Sequence, residues 1–281
     1  MTDLSSWLEA ARRALTAASD QPSLEAQAIL GNLLGKSRAW IFGHPEAILS
    51  SDEITRLNEL ISRRISGVPL PYLLGRWEFY GLEFEVSPAV LIPRPETEQL
   101  VDLARAWLIT HPTRRQSSDV GVGSGCIAAA LAYSIADLTV FAVDPFGSAL
   151  EIARRNLRRH HLADRVFLVQ SDLLTALAGP FDLVCANLPY IPTLTLQELD
   201  VARYEPHQAL DGGPDGLRLI EHLLSQLPTR LAPGGRVLLE IEFSQDQSAP
   251  TLARHYFPRA QVELKTDLAG LPRLVMIDLP E

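Results

Sequence analysis

From residue 119 onward the chain alternates short apolar runs with amphipathic stretches, and this alternation restricts the fold more than any other feature. Residues 138–143, 166–170, 181–186 and 236–241 have the length and composition of buried strands, and the first three are followed by Asp144, Ser171-Asp172 and Asn187. Residues 149–160 and 217–227 carry helical spacing, and residues 262–264 and 273–277 close the chain as two short strands. Repeated βα units form a parallel sheet with helices on both faces, and ligands bind beyond the carboxyl ends of its strands. The expected class is α/β, a doubly wound, mostly parallel sheet. Its first strand is the least regular: Arg114-Arg115-Gln116-Ser117-Ser118 is polar where Val or Leu is expected, which predicts a short strand running into a turn at residues 119–125.

Upstream, the pattern changes twice. Residues 4–65 are helical in spacing. Trp7, Leu8, Ala11 and Leu15 share one face; Leu24, Ala28, Ile29 and Leu33 share a second behind an N-cap at Ser23; Ile54, Leu57, Leu60, Ile61 and Ile65 share a third behind Ser51 and Asp52. So small a bundle gains by docking on a neighbour, and since it shows no acid, base or metal constellation, partner recognition is the function assigned to it. Then Pro69, Pro71, Pro88, Pro93 and Pro95 break any helix, while Trp77, Phe79, Tyr80, Leu82, Phe84 and Val86 alternate around Gly81 as in a β-hairpin. Pro95, Glu96 and Glu98 suit the first turn of the next helix, although the two acids could equally serve a site. The expected domains are a helical bundle at 1–66, a Pro-rich hairpin connector at 67–94 and a catalytic domain at 95–281.

A net charge of -9 argues against affinity built on phosphate neutralisation, so no direct nucleic-acid binding is expected. The basic cluster Arg154-Arg155 with Arg158-Arg159-His160-His161 fits the wet face of a helix. Cys126 and Cys185 lie far apart in apolar context, as buried free thiols do, without the spacing of a disulfide framework or a metal site. The start Met1-Thr2-Asp3-Leu4 lacks a basic region followed by an apolar core, and no apolar run is long enough to span a bilayer; the cytoplasm is the expected compartment.

Two stretches carry chemistry. Gly121-Val122-Gly123-Ser124-Gly125 brings backbone N–H groups close to a ligand at a helix N-terminus, where a carboxylate or phosphate is favoured. The dinucleotide fingerprint places its third glycine or alanine one position later, where this chain has Cys126, so a nicotinamide cofactor is disfavoured. Asp144, about 20 residues on, suits ribose hydroxyls, and Asp172 suits an adenine amino group. Each acid alone also fits a turn or helix cap, but the order of the sites points to S-adenosylmethionine. The second stretch is Asn187-Leu188-Pro189-Tyr190 at the end of a strand. Asn187 Oδ1 and the Leu188 carbonyl can each accept a hydrogen bond from a planar NH2 group, Pro189 stiffens the backbone, and Tyr190 offers an aromatic face. The same residues also occur in plain polar turns.

Together with Pro71-Tyr72, Leu91-Ile92-Pro93-Arg94-Pro95-Glu96-Thr97-Glu98, Tyr204-Glu205-Pro206, Asp211-Gly212-Gly213, Asp215-Gly216-Leu217 and Asp267-Leu268-Ala269-Gly270, these stretches resemble the peptide chain release factor glutamine N5-methyltransferases over nearly the whole chain. The resemblance implies a class I methyltransferase domain with a seven-stranded sheet, S-adenosylmethionine as methyl donor and S-adenosylhomocysteine as product. It implies a release factor as protein substrate, methylated on the glutamine of its Gly-Gly-Gln loop, a modification of translation termination. By position, Gly121, Val122, Gly123, Ser124, Gly125 and Asp144 bind the cofactor, Asp172 and Leu173 flank its adenine, and Asn187 belongs to both the cofactor and substrate sets. Leu188, Pro189 and Tyr190 complete the substrate loop. Two residues depart from the family pattern: Val122 replaces a Thr or similar small residue, and Leu188 replaces a proline. N-L-P-Y also occurs in methyltransferases acting on adenine N6 in RNA, which is the rival enzyme reading; a cofactor-binding scaffold without catalysis is a third.

Overall fold

The computed structural model describes residues 2–281; Met1, part of the N-terminal stretch read above, lies outside them. The chain divides into two compact units, Met1–Arg76 and Trp77–Glu281.

In the first unit, helices α1 (Leu4–Leu15), α2 (Pro22–Leu34), α3 (Arg38–Gly43), α4 (Ser51–Ile65) and α5 (Leu70–Leu74) accompany a two-residue antiparallel pair, β1 (Thr2–Asp3) with β2 (Ile48–Leu49). Apolar residues at helical spacing dictate the packing. Leu4, Trp7, Ala11 and Leu15 of α1 pack with Ile29 and Leu30 of α2 and Leu57 and Ile61 of α4. Asp3 caps α1 by accepting from Ser6 N at 2.7 Å. Two sequence expectations are corrected. The cap of α4 is Ser50, one residue earlier than expected, because Glu53 reaches back to the Ser50 N–H and closes a capping box. Helix α2 has no side-chain cap; Pro22 opens it with a preset φ and no N–H to satisfy, so Ser23 falls inside the helix and Leu24 is exposed.

The expected hairpin, β3 (Arg76–Phe79) and β4 (Leu82–Glu85), joined by Tyr80 and Gly81, lies in the second unit from Trp77 onward. Both loop residues have positive φ, 53° and 73°, the mark of a type I′ turn. Helix α6 (Glu98–Thr110) follows, entered through a 3-10 turn at Pro95–Thr97. Then come β5 (Gln116–Val120), α7 (Cys126–Ser134), β6 (Thr139–Asp144), α8 (Gly147–Arg159), β7 (Val166–Gln170), β8 (Phe181–Ala186), β9 (Ile191–Pro192), α9 (Thr193–Leu196), β10 (Asp211–Gly213), α10 (Arg218–Gln226), β11 (Leu231–Glu240), α11 (Ser248–Tyr256), β12 (Gln261–Thr266) and β13 (Pro272–Asp278).

Seven strands form the main sheet in the order β12-β13-β11-β8-β5-β6-β7. Six point the same way, and β13 runs antiparallel to both its neighbours. Residues of α6, α7 and α8 bury one face of the sheet, and those of α10 and α11 bury the other. The strand order reverses between β5 and β8, so their carboxyl ends flank the crevice where open α/β sheets bind ligands.

The polar run before the first strand is not its approach but its body. Ser117, Ser118 and Asp119 are each 1% exposed in the middle of β5. The backbone N–H groups of Arg115 and Gln116 donate to the Asp182 carboxylate on β8 at 2.9 and 3.0 Å, which fixes where the strand starts. Ser118 Oγ donates to Phe141 O, and Asp119 Oδ2 accepts from Ala128 N in the first turn of α7. Tertiary hydrogen bonds from Ser118 and Asp119 thus stand where hydrophobic side chains are expected, while Ser117 Oγ and Asp119 Oδ1 are buried without a partner. The strand expected at residues 236–241 extends back through Pro233-Gly234-Gly235, an irregularity inside β11, whose register shifts between Leu231 and Arg236.

Candidate active site

The register of the sheet creates the site. Val120 pairs with Ala186, so Gly121 and Asn187 leave adjacent strands side by side. A Cβ on Gly121 would lie 3.1 Å from Leu188 Cδ2 and 3.5 Å from Asn187 O; with φ at +82° as well, this position needs glycine. Gly123 and Gly125 are also left-handed, and Gly125 admits the Ala153 Cβ of α8 at 3.3 Å from where its own would stand. The cradle packs tightly on the sheet beneath it. Around it opens a cavity of about 370 Å³ bordered by residues of both stretches.

On the cradle side, the walls include Gly121, Val122, Gly123, Ser124, Asp144, Asp172 and Leu173, the expected cofactor set apart from Gly125, which lies behind them as the N-cap of α7. The Asp144 carboxylate accepts from Gly123 N and Phe146 N, both at 3.0 Å, which fixes its direction and uses one site on each oxygen. Burial raises its pKa while these two N–H bonds lower it. A carboxylate oxygen offers further lone pairs, so both can still take a hydroxyl. Asp172 is exposed on the cavity wall, and Leu173 beside it holds φ at 47°, a strained value for a branched side chain. Open glycine backbone, a buried carboxylate with spare acceptor capacity and apolar walls at Ile127 and Leu173 fit an adenosyl cofactor with an amino-acid tail.

On the opposite side, Asn187, Leu188 and Pro189 border the cavity. Asn187 Nδ2 donates to Thr97 Oγ1 at 3.0 Å, which leaves Oδ1 as the end of the amide available to the cavity. Tyr190 is turned differently from expectation. It does not border the cavity; its hydroxyl donates to Glu240 Oε1 at 3.2 Å, and burial raises its pKa well above the ordinary phenol value, so it stays protonated. Its backbone is anchored too, with Tyr190 O accepting from Gln245 Nε2 at 3.1 Å and Gly216 packed so closely that a Cβ there would stand 2.1 Å from the same oxygen. The short parallel pair of β9 with β10 follows at once and ties Asp211-Gly212-Gly213 to the end of the loop, while Asp215 O shares the Gln245 Nε2 donor with Tyr190 O.

Sequence reasoning missed several participants. Thr97, largely buried, borders the cavity beside Asn187, Glu240 is buried behind Tyr190, and Arg94 borders the cavity while paired with buried Glu205, whose other oxygen accepts from Ile92 N. Phe146 is an exposed aromatic on the cradle side. The sequence held one signal for the first group: Thr97 sits inside Arg94-Pro95-Glu96-Thr97-Glu98, whose acids drew attention instead. Glu98 serves the hairpin, accepting from Tyr80 N at 2.8 Å. Of the two cysteines, Cys185 is buried and Cys126 borders the cavity, its thiol pushed up to about 12 by burial and so protonated at neutral pH. The basic cluster on α8 behaves as a surface face, with Arg155 paired to Glu85 and Arg159 to Glu83.

Comparison with known proteins agrees with this architecture. Residues 6–75 match the PrmC N-terminal domain, and residues 97–202 match the Methyltransferase small domain. The release factor glutamine methyltransferase of Koribacter versatilis is 40% identical over 265 residues, covering 92% of each chain. That of Bradyrhizobium diazoefficiens is 37% identical over 277 residues, covering 95% of this chain and 93% of the relative. The crystal structure of ribosomal protein L11 methylase from Lactobacillus delbrueckii subsp. bulgaricus shares the fold, with a TM-score of 0.51 at 21% identity over 70% of this chain and 84% of that one. A cavity at the switch point of a seven-stranded sheet, an N-L-P-Y loop beside a glycine cradle, and relatives matching nearly end to end lead to one assignment: this chain belongs to the release factor glutamine methyltransferase family.

Proposed function

We propose that this protein transfers a methyl group from S-adenosylmethionine to the side-chain amide nitrogen of the glutamine in a release factor's Gly-Gly-Gln loop. The observation that carries the reading is the Asn187 amide, tied by its Nδ2 to Thr97 at the cavity wall so that Oδ1 is presented as an acceptor. A glutamine amide nitrogen is a weak nucleophile because its lone pair is delocalised into its own carbonyl. Asn187 Oδ1 and the Leu188 carbonyl take its two N–H groups, hold the nitrogen in line with the methyl carbon, and stabilise the positive charge that grows on it. The bound cofactor supplies an electrophilic methyl on a sulfonium. The glutamine nitrogen that accepts this methyl would give up one proton to water. Pro189 and the anchored Tyr190 carbonyl keep the loop from retreating as charge develops.

The cofactor's ribose is assigned to Asp144, its amino-acid tail to the Gly121–Gly125 turn, and its adenine to Asp172 and Leu173. Residues 1–66 are assigned to recognition of the release factor, residues 67–94 to a connector and residues 95–281 to catalysis. Among the described residues no helix is long and apolar enough to cross a membrane, and the expected site of action is the cytoplasm.

The test uses methyl-labelled S-adenosylmethionine with an unmodified release factor, its Gln-to-Ala loop variant and ribosomal RNA in parallel. Label on the release factor that disappears in the variant supports the reading. Label on RNA replaces it with the adenine reading, and cofactor binding with no label anywhere replaces it with a scaffold.

A further inference from the structure

Glu240, the last residue of β11, is 3% exposed. Its Oε1 accepts from the Tyr190 hydroxyl, and its Oε2 is buried with no completed hydrogen bond. A buried, half-satisfied carboxylate is costly, and Glu240 lies directly behind the loop assigned to hold the substrate amide. Two other charged groups act on it, Glu96 raising and Arg273 lowering its pKa, and Arg273 is itself paired with Asp267 at 2.9 Å. The Thr97 hydroxyl, which receives Asn187 Nδ2, also lowers the Glu240 pKa, and its own proton is the one side-chain donor there not yet committed in a completed hydrogen bond, facing a carboxylate whose Oε2 has no partner.

Proton counting gives this arrangement a direction. A threonine hydroxyl has one proton and can donate once. An ionised carboxylate can only accept, so the Thr97 proton is drawn toward Glu240 and Thr97 Oγ1 must accept from its other neighbour. That neighbour is a side-chain amide with one donating and one accepting end. Its NH2 end therefore turns to Thr97, and its carbonyl end turns to the cavity. Reversing the first proton reverses the last group: a protonated Glu240 can donate to Thr97, which can then donate to Asn187 Oδ1 and swing the NH2 end into the cavity, against the N–H groups of the substrate.

We propose that Glu240 is a positioning residue, acting through Thr97 and steadied by Tyr190, that fixes Asn187 with Oδ1 toward the substrate amide. This deepens the functional reading above and rests on it. Burial pushes the Glu240 carboxyl up to about 7, so the switch falls in the neutral range. Above that value the carboxylate is charged and Asn187 is held correctly; below it the hold is lost.

The experiment follows the full-length protein in two ways. NMR of 13C-glutamate and 15N-asparagine labelled protein tracks the Glu240 carboxyl and the Asn187 side-chain amide against pH, with no need for turnover. The Asn187 amide is expected to shift with the Glu240 midpoint, to keep doing so in Thr97→Ser, and to lose the response in Thr97→Val. In parallel, kcat against pH is expected to fall on the acid side with the same midpoint in the wild type. In Glu240→Gln it is expected to be about 10- to 100-fold lower at pH 8, the scale for a group that orients a reacting side chain from behind, with that acid limb gone. An Asn187 amide indifferent to the Glu240 titration, or a Glu240→Gln variant with the wild-type kcat profile, overturns the inference. A wild type that methylates no release factor while its Asn187 amide still follows Glu240 overturns the functional reading and leaves the coupling in place.

Discussion

The two walls of the cavity are built by different means. The glycine cradle is fixed by backbone: left-handed glycines, close approach to Ala153 and to the neighbouring loop, and N–H bonds into Asp144. The Asn187–Tyr190 wall is fixed by side chains from distant parts of the chain, with Thr97 at one end and Gln245 and Glu240 at the other. A ligand that only has to bind is served by a backbone mould, which tolerates varied side chains such as Val122. A nucleophile that has to be aimed needs directed donors and acceptors, and those come from side chains whose own orientation must be set.

Separate changes on the two walls should separate binding from turnover. Replacing Asn187 with Ala is expected to lower kcat by about 10² to 10³ while cofactor affinity changes little, the scale for one oriented polar group; equal losses in both, measured by label transfer and calorimetry, would merge the two walls into one. The buried carboxylates under the cradle should show in stability. Asp119 has one oxygen without a partner, and burial raises its pKa to about 7, with the Ala128 N–H opposing and Asp144 adding to the rise. The folded state therefore holds its proton more tightly than the unfolded chain does. Its contribution is present in full below the unfolded value near 4 and is lost as pH rises to about 7, at about 1.4 kcal/mol per pH unit between them. Denaturant unfolding at pH 5 and pH 8 should show the wild type losing stability relative to Asp119→Asn by about 3 kcal/mol across that interval; parallel curves would mean the carboxyl is already satisfied.

Smaller effects sharpen the contrast. Asp144→Ala removes a charged acceptor from the cradle and is expected to weaken cofactor binding about tenfold, with kcat at saturating cofactor changed much less. A kcat loss matching that of Asn187→Ala would place Asp144 in the chemistry. Least of all, Leu188→Pro should leave turnover within about threefold, because the backbone carbonyl stays; the apolar packing of Leu188 against Gly121 makes some loss of stability the expected cost. A large fall in kcat with stability intact would mean that this chain has come to depend on leucine there.

Much of the architecture was legible because it rests on local patterns. The apolar runs at 166–170 and 181–186 became β7 and β8, and the alternation around Gly81 became a hairpin. The first strand is not legible from sequence, because Ser117, Ser118 and Asp119 have the composition of a loop, and the partners of Ser118 and Asp119, Phe141 O and Ala128 N, are set by the tertiary structure. Ser23 has the composition of a cap, but Pro22 starts the helix one residue earlier and leaves Gln21 at the cap position. Tyr190 was read as an aromatic wall because sequence gives its identity but not its direction.

The sequence by itself determined the alternation of strands and helices from residue 119 onward, the glycine turn at residues 121–125, the acid at 144 and the Asn187–Tyr190 loop, since each depends on residues adjacent in the chain and on the conformations those residues permit. Only the tertiary structure decided that Thr97, from the entry to α6, and Glu240, from the end of β11, meet that loop, roughly 90 and 50 positions away. The physical reason is that a parallel sheet brings together strand ends that are remote in sequence, and a hydrogen bond depends on distance and direction in space, to which spacing along the chain gives no guide.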